Sequence, residues 1–82
     1  MALYFFDITD HSPVSRDEIG TECTDLEEVC KAARTALPHI AMDEIPANGE
    51  QQFFTVVARD TDGHAVYTAT LSYAGLRLYH RT

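Results

Sequence analysis

Thr24-Asp-Leu-Glu-Glu-Val-Cys-Lys-Ala-Ala-Arg-Thr-Ala-Leu37 is the stretch on which the fold turns. Leu26, Val29, Cys30, Ala33, Ala36 and Leu37 recur at helical spacing and form one apolar stripe. Thr24 stands where an N-cap belongs. Its hydroxyl can accept from the Glu27 amide, and the Glu27 carboxylate can accept from the Thr24 amide. Asp25, Glu27 and Glu28 fall in the first turn, where the helix dipole favours negative charge. Glu27 and Lys31 form an i,i+4 pair. The apolar pattern runs on from His39 to Ile45 across Pro38, which predicts a kink at that proline or a short second helical segment starting there. Pro46-Ala-Asn-Gly49 is expected to end the helix.

The segments on either side read as strands. In Ala2 to Thr9, Tyr4, Phe6 and Ile8 alternate with Leu3, Phe5 and Asp7. Asp10 to Ser15 is a loop built on Pro13. Arg16 to Cys23 is expected to be a short edge strand with a turn or bulge at Gly20. After the helix, Gln52 to Arg59 sets Phe53, Thr55 and Val57 against Phe54, Val56 and Ala58. Asp60-Thr-Asp-Gly63 is a hairpin signal. His64 to Tyr73 carries Tyr67, Ala69, Leu71 and Tyr73 on one face and Val66, Thr68, Thr70 and Ser72 on the other. Ala74-Gly75 is a bulge or turn, and Leu76 to Tyr79 extends that strand or makes a fifth. The order β-β-α-β-β predicts an α+β fold: an antiparallel sheet of about four strands with one helix packed on one face. Residues 1–82 read as one domain.

A domain of this size buries only about 60% of its unfolded surface, so self-association is a common supplement to its thin core. The 82 residues hold 13 acids and 6 Lys and Arg, net −7. The imbalance is local: residues 1–50 carry 11 acids and 3 bases, residues 51–82 carry 2 and 3. Such a surface repels phosphate backbones, which argues against nucleic acid. The start has no basic segment ahead of its apolar run, and no stretch approaches the ~18–20 apolar residues of a membrane span. A cytoplasmic location is expected, with no membrane partner.

The residues that could carry chemistry are few. Cys23 and Cys30 would lie near ~10 Å apart on a helical run, too far for a disulfide. Cys23, just before the helix, is the one placed for a lowered pKa. His11, His39, His64 and His80 show no paired metal-ligand spacing, and His39 with Asp43 would offer only two ligands. Asp60-Thr-Asp-Gly63 is a turn rather than a calcium loop, because the twelfth position holds Leu71, not Glu. No metal, cofactor or catalytic residue is expected.

Tyr4-Phe-Phe-Asp-Ile8, Arg16-Asp-Glu-Ile-Gly-Thr-Glu22 and Asp60-Thr-Asp-Gly63 together resemble a family of small uncharacterised proteins of rhizobia and related α-proteobacteria. That family shows a Tyr-Phe-Phe start and a D-x-x-G before the helix. Tyr4, Phe5, Phe6, Asp17, Gly20, Asp62 and Gly63 match it, while Pro38 departs from its uninterrupted Ala-rich helix. The resemblance implies no activity. A weaker, fold-level likeness is to the HicB-type antitoxin domain, which binds a small basic toxin.

The function expected from these readings is a non-enzymatic protein-interaction or regulatory module, self-associating. Its surface is expected to comprise Phe5, Asp17, Glu18, Glu22, Phe53 and Phe54. Its partners would be a second copy and a basic protein. The alternative is a ligand-binding or catalytic site near Cys23, Asp17 and His11, on the loops around the helix N-terminus.

Overall fold

The computed structural model describes residues 1–9, 15–48 and 50–78, with backbone alone at 47 and 48. It holds strands β1 (Ala2–Thr9) and β2 (Thr21–Cys23), helix α1 (Leu26–Asn48), and strands β3 (Gln51–Arg59) and β4 (Ala65–Ala74). The sheet order is β2-β1-β3-β4, with every neighbouring pair antiparallel. Since β2 and β3 both oppose β1, they run parallel to each other, and α1 carries the chain between them across β1. This is the expected α+β architecture.

Alternation along the strands sets the two faces. Tyr4, Phe6, Ile8, Phe54, Val56, Ala58, Tyr67, Ala69 and Leu71 meet the helix. Val29, Ala33, Leu37 and Ala41 are the helix side of that contact and are buried. Two alanines on the helix, Ala33 and Ala41, leave room for the larger Phe54 and Val56 of the sheet. Leu26, expected in the apolar stripe, is 52% exposed and lies outside it.

The helix begins one residue later than expected. Asp25, not Thr24, is the cap: its Oδ1 accepts the Glu28 amide at 2.9 Å, and Glu28 Oε1 accepts the Thr24 amide at 2.7 Å. Thr24-x-x-Glu27 and Asp25-x-x-Glu28 both satisfy the capping pattern. Packing chooses between them. Cys23 must stay extended to pair with Ala2 and to lie with Val29 in one buried cluster, so the turn falls at Thr24 and Asp25.

The helix is one element through both Pro38 and Pro46, so neither proline splits or ends it. Each removes a hydrogen bond to the carbonyl four residues back. Those carbonyls belong to Arg34 and Met42, and both residues are exposed, as both prolines are. Water can therefore satisfy the freed groups, as the outer side of a curved helix allows. In the last turn, Gln52 Nε2 donates to the Ile45 carbonyl at 3.2 Å, which supplies a donor that the helix itself lacks there.

The expected strand from Arg16 to Cys23 is ordered as strand only from Thr21. The β3–β4 hairpin turns on Asp60 to His64: the Gly63 amide donates to the Asp60 carbonyl and the Asp60 amide to that of His64. Gly63 takes φ +87°, the left-handed position of a three-residue hairpin loop. Val66 is the extra residue of a bulge opposite Ala58 and Arg59. Gly75 prolongs the ladder by donating to the Glu50 carbonyl at 2.6 Å. Leu76, Arg77 and Leu78 form no fifth strand, and Tyr79 lies outside the described residues. So does the expected loop from Asp10, apart from Ser15. No helix is long and apolar enough to cross a membrane among the described residues.

Candidate functional site

The side of the sheet away from the helix carries Leu3, Phe5 and Asp7 from β1, Glu22 from β2, Phe53, Thr55, Val57 and Arg59 from β3, and Thr68, Thr70 and Ser72 from β4. One corner of it is covered by the chain itself. Residues Arg16 to Gly20 fold over Leu3 and Phe5 so closely that a Cβ on Gly20 would meet Leu3 Cδ1 at 2.9 Å and Phe5 Cε1 at 3.1 Å. Gly20 also has φ +84°, a conformation L side chains rarely adopt.

Asp17 holds that segment down. Its Oδ1 accepts the amides of Ile19 and Gly20 at 3.1 and 3.0 Å, and its Oδ2 accepts the Phe6 amide at 3.0 Å. Along the outer edge of β1, Tyr4 pairs with Thr21, and Ile8 exchanges both backbone hydrogen bonds with Ser15. Between them, the Asp17 carboxylate takes the place of a neighbouring strand for Phe6. The D-x-x-G of the sequence is thus a side chain closing a gap in a ladder, with glycine where the turn must pass close to two apolar side chains.

Beneath it lies a second carboxylate. Asp7, 8% exposed, accepts Arg59 Nε at 2.7 Å on Oδ2 and Arg59 Nη2 at 3.3 Å on Oδ1. Asp7 Oδ1 also accepts the Asp17 amide at 2.9 Å, and Arg59 Nη2 donates to the Asp17 carbonyl at 3.1 Å. The guanidinium lies 4.7 Å from the centre of the Phe5 ring, a cation–π distance. The Arg59 hydrogen bond holds the Asp7 carboxyl below the usual carboxylate range, against the opposing effect of burial. The Gly20 amide, then the Phe6 amide, does the same for Asp17. Both groups are thus held ionised by donors of this chain, an arrangement that fixes backbone and gives neither a spare proton to move.

The expected surface residues therefore divide. Phe53 is 63% exposed, and Glu18 and Glu22 are exposed. Phe5 is half-buried under Arg59 and the Gly20 turn. Asp17 is spent on intramolecular hydrogen bonds and is no surface acid. Phe54 is wholly buried; it points toward α1, so its place in the interaction surface is corrected. Sequence reasoning missed the Asp7–Arg59 pair. The available signal was an aspartate within an aromatic strand and an arginine closing another, both on the polar side of the alternation.

The loops around the helix N-terminus look different from their expectation as well. Cys23 is 2% exposed, and burial pushes its thiol pKa up, with Glu28 and Asp25 adding to the effect. Desolvation and two nearby carboxylates outweigh the helix dipole, so the expected lowering is reversed. Both cysteines are free thiols, and His11 lies outside the described residues. Along the outer flank of α1 runs an open groove of about 420 Å³ lined by Glu28, Lys31, Ala32, Thr35 and Ala36. In the β3–β4 turn, donor atoms of Asp60, Asp62 and His64 lie within 4.8 Å of one another. Asp60 Oδ1 there accepts the amides of Asp62 and His64, at 3.0 and 2.9 Å, as a turn residue does.

Residues 3–72 match the family described as domain of unknown function DUF6894, and the chain belongs to it. No curated protein and no solved structure matches the chain.

Proposed function

We propose that this DUF6894 domain is a non-enzymatic interaction or regulatory module of an α-proteobacterial cytoplasm, which self-associates and holds a basic protein against its uncovered sheet face. The observation that carries the reading is Phe53, a phenyl ring 63% exposed on that face. A ring left in water on a sheet side that no helix covers has the character of a contact residue. Val57 continues the apolar part between Thr55 and the threonines of β4, whose Thr70 hydroxyl lies 2.9 Å from that of Thr55. Exposed carboxylates, Glu18 and Glu22, stand at the corner by Leu3. Together with the net charge of −7, they favour a basic partner and steer it in. The fold-level likeness to HicB-type antitoxin domains, which hold a basic toxin, accords with that chemistry.

The test is an NMR titration of the labelled chain with a short peptide alternating lysine and leucine. Amide shifts should concentrate at Phe53, Thr55, Val57, Thr68, Thr70 and Ser72. Phe53→Ser should weaken binding by about 1–2 kcal/mol, the burial of one ring edge. Shifts confined to the helix, or unchanged affinity in Phe53→Ser, would sink the reading.

A further inference from the structure

The two edges of the sheet are built differently. β2 is three residues long, carries Glu22, and is followed along β1 by the Asp17 carboxylate and the Ser15 bridge. A short, charged, covered edge resists pairing with another chain. β4 has none of these protections. It is ten residues long, pairs only with β3 among the described residues, and reads Ala-Val-Tyr-Thr-Ala-Thr-Leu-Ser-Tyr-Ala without a charge or a proline. Every second residue therefore aims its N–H and C=O away from the sheet.

We propose that β4 pairs antiparallel with β4 of a second copy, with Thr70 on the two-fold axis, joining the two sheets into one. The inference rests on the self-association reading and names its surface. Three arguments select a second copy as the occupant. First, a chain of net −7 meets its own kind at least electrostatic cost along a neutral seam, and β4 is such a seam. Second, the strand is self-complementary in this register. Tyr67 faces Tyr73 of the other copy twice on the helix side, and Thr68 faces Ser72 twice on the open side. Aromatic and hydroxyl cross-strand pairs of this kind stabilise a ladder. A two-fold axis through one residue also keeps each face matched to its like.

Third, the ends carry complementary charge. Arg77 follows β4 with its side chain 88% exposed, at 4.0 Å from the half-exposed Glu50. This register brings Arg77 of each copy, past the end of β4, toward the β3–β4 turn of the other beyond the Val66 bulge, on the side of the carboxylates of Asp60 and Asp62. The basic end of one strand meets the acidic turn of the other, and symmetry repeats the contact. Leu76 and Leu78, 83% and 76% exposed, flank Arg77 and come under the same cover. The joined sheet presents two uncovered faces side by side to the basic partner.

Sedimentation equilibrium and amide hydrogen exchange on the full chain test this. A dimer is expected. Arg77→Glu should raise its dissociation constant roughly tenfold by setting like charges opposite each other, and Asp62→Arg added to Arg77→Glu should restore it. The alternate β4 amides that point away from β3 should exchange slowly in the dimer and fast on dilution. A dimer whose β4 amides exchange alike at all concentrations would overturn the edge pairing and leave self-association standing. An Arg77→Glu variant that dimerises like the parent would overturn this register. A chain still monomeric at about 1 mM would overturn both the pairing and the self-association it rests on.

Discussion

Gly20 and Gly63 make a natural pair of controls, because they share a left-handed backbone (φ +84° and +87°) in different surroundings. Gly63 has nothing within 4 Å of its would-be Cβ, whereas Gly20 has Leu3 and Phe5 at 2.9 and 3.1 Å. Gly63→Ala should therefore lose about 1–2 kcal/mol, the conformational term alone. Gly20→Ala should lose more, since Leu3 and Phe5 must also move; urea unfolding of the two variants checks the order. Asp7 and Asp17 have folded pKa values below their unfolded ones. Their contribution is therefore fully present above the unfolded value near ~3.9 and is lost as pH falls through the folded value. Stability should fall steeply below about pH 4, and less steeply in Asp7→Asn and Asp17→Asn, as the free energy of unfolding against pH would reveal. The D-x-x-G was legible as a motif, but the destination of its carboxylate was not. Asp17 reaches Phe6, 11 positions away, and nothing in its local sequence names that partner.

At the scale of elements, periodicity located the start of the helix and three of the four strands to within a residue or two, while the helix runs unbroken past Pro38 and three residues beyond its expected stop before Pro46. The cap is the instructive exception. Thr24 and Asp25 each precede a glutamate by three positions, and local preference does not separate them. The distinction is measurable: Asp25→Ala should lose about 1 kcal/mol and Thr24→Ala much less. Equal losses by thermal denaturation would return the cap to Thr24. β2 was overextended because Arg16 to Gly20 follows β1 closely without pairing as a strand; a carboxylate does the bonding instead. The prolines show the opposite lesson. Pro38 and Pro46 oppose helix by propensity, yet both are exposed, as are Arg34 and Met42 four residues back, so that water can reach that side of the helix.

For the whole molecule, one helix on a two-sided sheet leaves the other side, among the described residues, without a helix over it, and that asymmetry separates adjacent identical residues. Phe54→Ala should lose about 3–5 kcal/mol as a core cavity. Phe53→Ala should stay within about 0.5 kcal/mol, because its ring already stands in water. Comparable losses in the two would mean that the helix does not cover only one face. The same asymmetry places the contact residues of the proposed module on the open side, while the strand order makes β4 an edge among the described residues. The expected patch of Phe5, Phe53 and Phe54 was half legible for this reason. β3 alternates two apolar sets, Phe53 with Val57 and Phe54 with Val56, and either could face inward.

The sequence by itself determined the element order, the alternation within each strand, the glycine turns and the acidic half of the chain, because each depends on residues close together along the backbone. Only the tertiary structure decided which apolar face is core, which residue caps the helix, and where Asp7, Asp17 and Arg59 meet. Those outcomes depend on where α1 docks and on a pairing between strands about 50 residues apart, Asp7 with Arg59. The contacts responsible are spent only when the chain closes on itself, and local pattern carries no record of them.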